Sequence, residues 1–147
     1  MTNDASPLVP AGNADKPFWQ WLEKNEFRLP RCASCRTWQW PALWRCPQCG
    51  GFDNEWLRVA ACGTVFSWTR THYPFVPARA DELPFVVVLT ELADAGGARV
   101  LGILEGSSED IAIGRAVVGR IEPASPRSGG LPSVVWRLDA GAGGAPV

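Results

Sequence analysis

Cys32-Ala-Ser-Cys35, a gap of ten residues, and Cys46-Pro-Gln-Cys49 form the stretch from which the rest of the chain is read. Two residues between paired cysteines let the chain turn so that both sulfurs reach one ion about 2.3 Å away, and a second such turn completes a tetrahedron. Four thiolates leave no position for water, which makes such a site structural rather than catalytic. Pro47 stiffens the second turn, and Gly50 and Gly51 follow it, where glycine accommodates a positive φ or a close backbone approach. Arg36 follows the first pair instead of glycine, so that knuckle is expected to carry strain. The expected ion is Zn2+, with iron as the main competitor. Two disulfides or a redox pair are the other readings. Spaced cysteine pairs without a preceding secretory apolar region are more often metal-binding.

Composition bounds the remainder. The chain has 147 residues and 46% hydrophobic content, enough for one ordinary globular domain or two small ones sharing an interface. A zinc ribbon needs only about thirty residues because metal binding supplies its folding free energy, so a second unit is expected. A net charge of −1 and a pI near 5.8 speak against a nucleic-acid protein, which normally shows a basic excess. No stretch has the length of a membrane span, and residues Met1 to Asn13 lack the pattern of a signal peptide. The expected location is the cytoplasm.

Along the chain, residues 1–14 mix Ser, Pro, Ala and Gly and read as a flexible arm. Residues 15–26 read as a short helix capped by Asp15, with Pro17 in its first turn and Phe18, Trp21 and Leu22 on one face. Trp19 faces elsewhere, either as a docking residue or buried against the ribbon. The ribbon spans 27–58, and its Trp38, Trp40, Trp44 and Trp56 are too many aromatics for so small a unit to hide alone. Some of them are therefore expected against a neighbouring domain or a partner. Residues 59–138 read as β-structure: strands at 63–73, 83–92, 99–105, 115–121 and 132–138, with a turn at Asp94-Ala-Gly-Gly97 and a short connection at 111–114. Five short strands with a break after the third fit a five-stranded Greek-key barrel of the OB type, a small sandwich being the alternative. Residues 139–147, rich in Gly and Ala, read as a disordered tail.

These modules in this order resemble a family of zinc-ribbon/OB-fold proteins associated with acyl-CoA enzymes. The residues that carry the resemblance are Phe18-Trp19 on the helix, the ribbon from Cys32 to Gly50 and Gly63-Thr-Val-Phe-Ser-Trp-Thr69. Leu83-Pro-Phe-Val-Val-Val-Leu89, Gly102-Ile-Leu104 and Ile113-Gly114 continue it, so that it covers roughly Lys16 to Leu138. The resemblance implies a mainly β chain: an N-terminal helix, a rubredoxin-like zinc ribbon and an OB barrel. It also implies a noncatalytic accessory subunit of a thiolase-superfamily enzyme, in a hetero-oligomer that makes or cleaves carbon–carbon bonds of acyl-CoA thioesters. Such complexes belong to the degradation of lipids, steroids or aromatic compounds. The subunit would stabilise the complex and help form its acyl-CoA site, with one structural Zn2+ held by Cys32, Cys35, Cys46 and Cys49. A hot-dog-fold enoyl-CoA hydratase is the alternative partner. Trp19, Trp38, Trp40 and Trp44 are the expected interface residues.

Chemistry of the chain's own is not expected. The single histidine, His72, ends the first barrel strand with no sequence arrangement joining it to Cys62 or a serine. Cys62 reads as a small buried residue rather than a nucleophile. Asp81, Glu82, Glu91, Glu105, Glu109 and Asp110 read as solvated charge, and Gly96-Gly97 and Gly129-Gly130 as turns. In the ribbon Arg28, Arg31, Arg36 and Arg45 outnumber Asp53 and Glu55, but a zinc ringed by thiolates offsets that excess. A direct contact of these arginines with coenzyme A phosphates rests only on the bidentate habit of arginine. Phe66, Trp68 and Tyr73 would be the stacking platform of a single-stranded nucleic-acid-binding OB protein, a reading the charge disfavours.

Overall fold

The computed structural model describes residues 13–142. Residues 1–12 of the expected arm and 143–147 of the expected tail lie outside the described residues. The helix, α1, spans Lys16–Glu23, with Pro17 in its first turn and Phe18 and Leu22 buried one turn apart. Asp15 stands at the N-cap position, but its carboxylate caps no backbone N–H. Its φ of −88° and ψ of 0° are helical rather than the extended values of a capping residue. The carboxylate instead accepts the indole N–H of Trp19 at 3.4 Å.

Two antiparallel strands, β1 (Arg28–Cys32) and β2 (Asn54–Arg58), form the stem of the ribbon, with Pro30 opposite Trp56. Pro30 is tolerated because this sheet has only two strands, so both are edges. Five further strands follow: β3 (Cys62–Thr71), β4 (Phe85–Leu92), β5 (Ala98–Leu104), β6 (Ala116–Glu122) and β7 (Ser133–Leu138). They close into a barrel in the order β3-β4-β5-β7-β6, with β5 and β7 parallel and the other pairs antiparallel. The barrel is the expected OB type, and the sandwich is excluded. The second barrel strand begins at Phe85 rather than Leu83, since Pro84 has no N–H for a ladder. A helical turn occupies Ala140–Ala142, within the stretch expected to be disordered.

Alternation along β3 is interrupted by a bulge between Val65 and Ser67. Val65 faces inward and is 1% exposed, and the extra residue, Phe66, lets Trp68 rather than Ser67 turn back to the core. Before the bulge, the same alternation turns Cys62 and Thr64 outward. Cys62 is therefore exposed, against the expectation of a buried thiol.

Helix, ribbon and barrel share one core. Phe27 from the ribbon meets Trp136 of β7 edge to face at 6.4 Å between ring centres, and Phe18 of α1 lies 4.4 Å from Trp40. Trp136 is fully buried, in a space two glycines leave open. A methyl group built on Gly102 would lie 2.5 Å from the Val134 carbonyl and 2.6 Å from the indole, and one on Gly119 would lie 2.8 Å from the indole's other edge. Gly102→Ala is expected to destabilise the chain by about 1–3 kcal/mol through overpacking, measured as a lowered midpoint in thermal unfolding followed by near-UV circular dichroism.

Candidate functional site

The β1 and β2 strands bring the two cysteine turns together at one end of the ribbon. In each turn the residue after the second cysteine donates its N–H to the carbonyl of the first: Arg36 to Cys32 and Gly50 to Cys46, both at 2.9 Å. This geometry needs a left-handed residue, and Gly50 supplies it at φ +77°. Arg36 adopts φ +64° without that freedom, which is the strain expected from its place in the sequence. Gly51 packs directly on the sulfurs, its N–H 3.4 Å from Cys49 Sγ.

All four sulfurs lie within 4.8 Å of one another. Cys32 and Cys49 Sγ are 3.6 Å apart, as are Cys35 and Cys46 Sγ. A tetrahedron with sulfurs about 2.3 Å from its centre has edges of about 3.8 Å, so the donor set fits a zinc-sized ion. Cys32 and Cys46 are buried while Cys35 and Cys49 face outward. Hydrogen bonds from Thr37 hold the Cys35 thiol down to about 6, and the backbone N–H of Cys49 lowers Cys46. Cys49 gains from the Gly51 N–H, but the sulfurs of Cys32 and Cys35 outweigh this and push it up to about 11. Four thiols this close resist ionising together, and a divalent cation removes that conflict.

The four tryptophans expected at an interface take different places. Trp44 is 65% exposed and stands at the ribbon tip with Leu43 and Phe52, also exposed. Trp19 and Trp40 are half-buried, packing against the core while lining an apolar groove. Trp38 is half-buried against the core, with Arg31 over its ring and its edge close to Gly96.

The groove, of about 1120 Å³, runs between the barrel and the helix–ribbon unit. Its floor is the outer face of β4 and β5, with Val87, Leu89, Leu101 and Ile103; Phe75 and Val76 come from the β3–β4 loop, and Leu131 and Pro132 from the β6–β7 loop. This is the face and loop pair through which OB barrels take ligands, yet here it is apolar. Residue-by-residue reading missed it. The available signal was Phe85-Val-Val-Val-Leu89, apolar on both faces of a strand whose outer side would otherwise be polar.

The stacking platform is not assembled. Trp68 turns to the core, and Phe66 lies on the outer face under the Arg99 guanidinium at 3.6 Å. Tyr73 pairs instead with Phe75 at 4.9 Å. His72 is exposed just beyond β3. Of the carboxylates read as solvated charge, Asp81, Glu82, Glu91 and Glu105 are engaged by arginines: Asp81 by Arg127, Glu82 by Arg79 and Arg127, Glu91 by Arg99 and Glu105 by Arg120.

Residues 19–55 match the family described as ChsH2, rubredoxin-like zinc ribbon domain, and residues 56–122 the ChsH2, C-terminal OB-fold domain. A probable enoyl-CoA hydratase alpha subunit of Thermomonospora curvata is 39% identical over 111 residues, 74% of this chain and 34% of that protein. The 3-oxo-4,17-pregnadiene-20-carboxyl-CoA hydratase alpha subunit of Mycobacterium tuberculosis is 36% identical over 114 residues, 75% of this chain and 34% of that one. The chain thus spans about a third of the length of these curated relatives. Among solved structures, a chain of an Ltp2-ChsH2(DUF35) aldolase superposes with a TM-score of 0.76 at 33% identity, over 88% of this chain and 98% of that one. A DUF35-family protein of unknown function from Sulfolobus solfataricus shares the fold, with a TM-score of 0.58 at 19% identity over 87% of each chain.

Two substitutions test the site. Cys46→Ser is expected to lower bound zinc from about one ion per chain to a small fraction, measured by plasma mass spectrometry after desalting, with loss of ribbon signals in the NMR spectrum. Arg36→Gly relieves the left-handed strain but adds freedom to the unfolded chain. Its expected effect is a net stabilisation of about 0.5–1 kcal/mol, read from denaturant unfolding of the metal-loaded protein.

Proposed function

From the premise that this chain belongs to the ChsH2 family of zinc-ribbon/OB-fold proteins, we propose that it is the accessory subunit of an acyl-CoA-processing enzyme. Its catalytic partner is a thiolase-superfamily subunit of aldolase type, which makes or breaks a carbon–carbon bond of an acyl-CoA thioester. The observation that carries this reading is the likeness to a chain of the Ltp2-ChsH2(DUF35) aldolase, which extends over 98% of that chain at 33% identity. In this role Cys32, Cys35, Cys46 and Cys49 hold one structural zinc, which does no chemistry on the substrate. The partner binds through the apolar surface this chain leaves open: Trp44 at the ribbon tip, and Trp19 and Trp40 where they line the groove. Trp38, half-buried against the core and outside the groove lining, is proposed as a lesser contact. Exposed tryptophan is a common interface anchor, since it buries a large area with little loss of side-chain freedom.

A second reading makes the partner a hydratase subunit, favoured by the names of the two curated relatives. Co-expression separates the two. With an Ltp2-type aldolase subunit from the same organism, the chain is expected to co-elute in size exclusion and to be required for cleavage of an acyl-CoA aldol substrate. Co-elution with the hydratase subunit alone would favour the second reading, and an aldolase fully active and stable without this chain would contradict the first. Trp44→Ala is expected to weaken the aldolase complex about tenfold or more, measured by biolayer interferometry.

A further inference from the structure

The barrel is not evenly sealed. Strand β5 pairs with β4 along Ala98–Ile103, but with β7 only at Ile103 and Leu104. Among the described residues no strand pairs with Ala98–Leu101 on the edge away from β4, and no loop backbone bonds to it. Of that edge, Arg99, Val100 and Leu101 line the apolar groove, which Trp19 and Trp40 also line. In an antiparallel ladder, alternate residues turn their N–H and C=O groups away from the neighbouring strand. The open edge therefore presents backbone donors and acceptors inside an apolar groove.

We infer that this groove receives an extended segment of the catalytic subunit, which adds as a strand to the open edge of β5. The inference rests on the accessory-subunit reading and names how the partner is held. An acyl chain would fill the apolar volume but leave the edge's polar groups without partners, whereas a peptide strand satisfies both. The charge lining the groove sets the segment's chemistry further. Arg79, Arg99 and Arg127 line it against the single carboxylate of Asp15. Arg79 is held by Glu82, while Arg99 pairs with Glu91 and Arg127 with Asp81 and Glu82 in exposed ion pairs weak enough to exchange for new ones. The fitting segment is apolar at alternating positions and carries a carboxylate near one end.

The test uses the full chain and the Ltp2-type aldolase subunit from the same organism. Residue-resolved hydrogen exchange is measured at 98–101 in the chain alone and in the complex. The amides turned away from β4 are expected to exchange readily in the chain alone and at least tenfold more slowly in the complex. Leu101, 64% exposed on the groove floor, is changed in parallel to Asp. The Leu101→Asp chain should keep its zinc and its thermal midpoint while binding the aldolase at least tenfold more weakly. Unchanged exchange at 98–101 together with unchanged affinity of Leu101→Asp, in a complex that forms normally, would overturn the strand addition while leaving the accessory role intact. Slow exchange in the chain alone would mean that the edge is filled from within the chain, and would overturn it too. Absence of any complex with the unaltered chain would remove both the accessory role and the docked strand.

Discussion

Convergence of four sulfurs within 4.8 Å is the constraint on which the rest of the molecule depends. Among its buried residues the ribbon offers few apolar side chains, chiefly Phe27 and Leu29, too little to hold a two-stranded stem by burial alone. Metal binding replaces the missing core. Once the two turns are tied, Trp38 and Trp40 are held at defined positions between them, and the ribbon gains an aromatic face. That face meets α1 through Phe18 and Trp40, and the barrel is reached through Phe27 and Trp136. The staple therefore also positions one wall of the groove, some distance from the ion.

Function follows from what this arrangement leaves uncovered. OB barrels that bind single-stranded nucleic acid combine stacked aromatics with a basic groove. In this chain the corresponding face is largely apolar and its arginines, Arg79, Arg99 and Arg127, are paired with Glu82, Glu91 and Asp81; the β3 bulge turns Trp68 towards the core, and Phe66 has the Arg99 guanidinium over its ring. The ligand face of the fold is instead suited to another protein surface. Together with the exposed Leu43, Trp44 and Phe52 at the ribbon tip, it gives the chain two apolar contact regions on units that share one core. In the proposed accessory role, a chain built this way contributes surface and rigidity.

How much of this was legible in the sequence depended on how local each feature is. The metal site was readable because its ligands lie in two short turns with a fixed spacing, and even the strain at Arg36 followed from the absence of glycine there. The barrel strands were readable because β-branched and aromatic runs are bounded by turns. The stem strands of the ribbon were not, since Arg28-Leu-Pro-Arg-Cys32 and Asn54-Glu-Trp-Leu-Arg58 carry no strong strand signal and pair because the cysteine turns align them. Cys62 is exposed against expectation because the general tendency of free cysteine to be buried yields to alternation along β3. The groove was the least legible feature: its walls come from the helix, the ribbon, two strands and two loops, and only the two-faced apolar run of β4 hinted at it.

A purely structural role requires the ion to be closed off from chemistry. Zinc K-edge X-ray absorption of the purified chain tests this most directly. Four sulfur scatterers at about 2.3 Å and no directly bound nitrogen or oxygen are expected, unchanged when an acyl-CoA and the proposed catalytic partner are added. A shell with one light atom, or one that changes on adding the acyl-CoA, would contradict a purely structural metal.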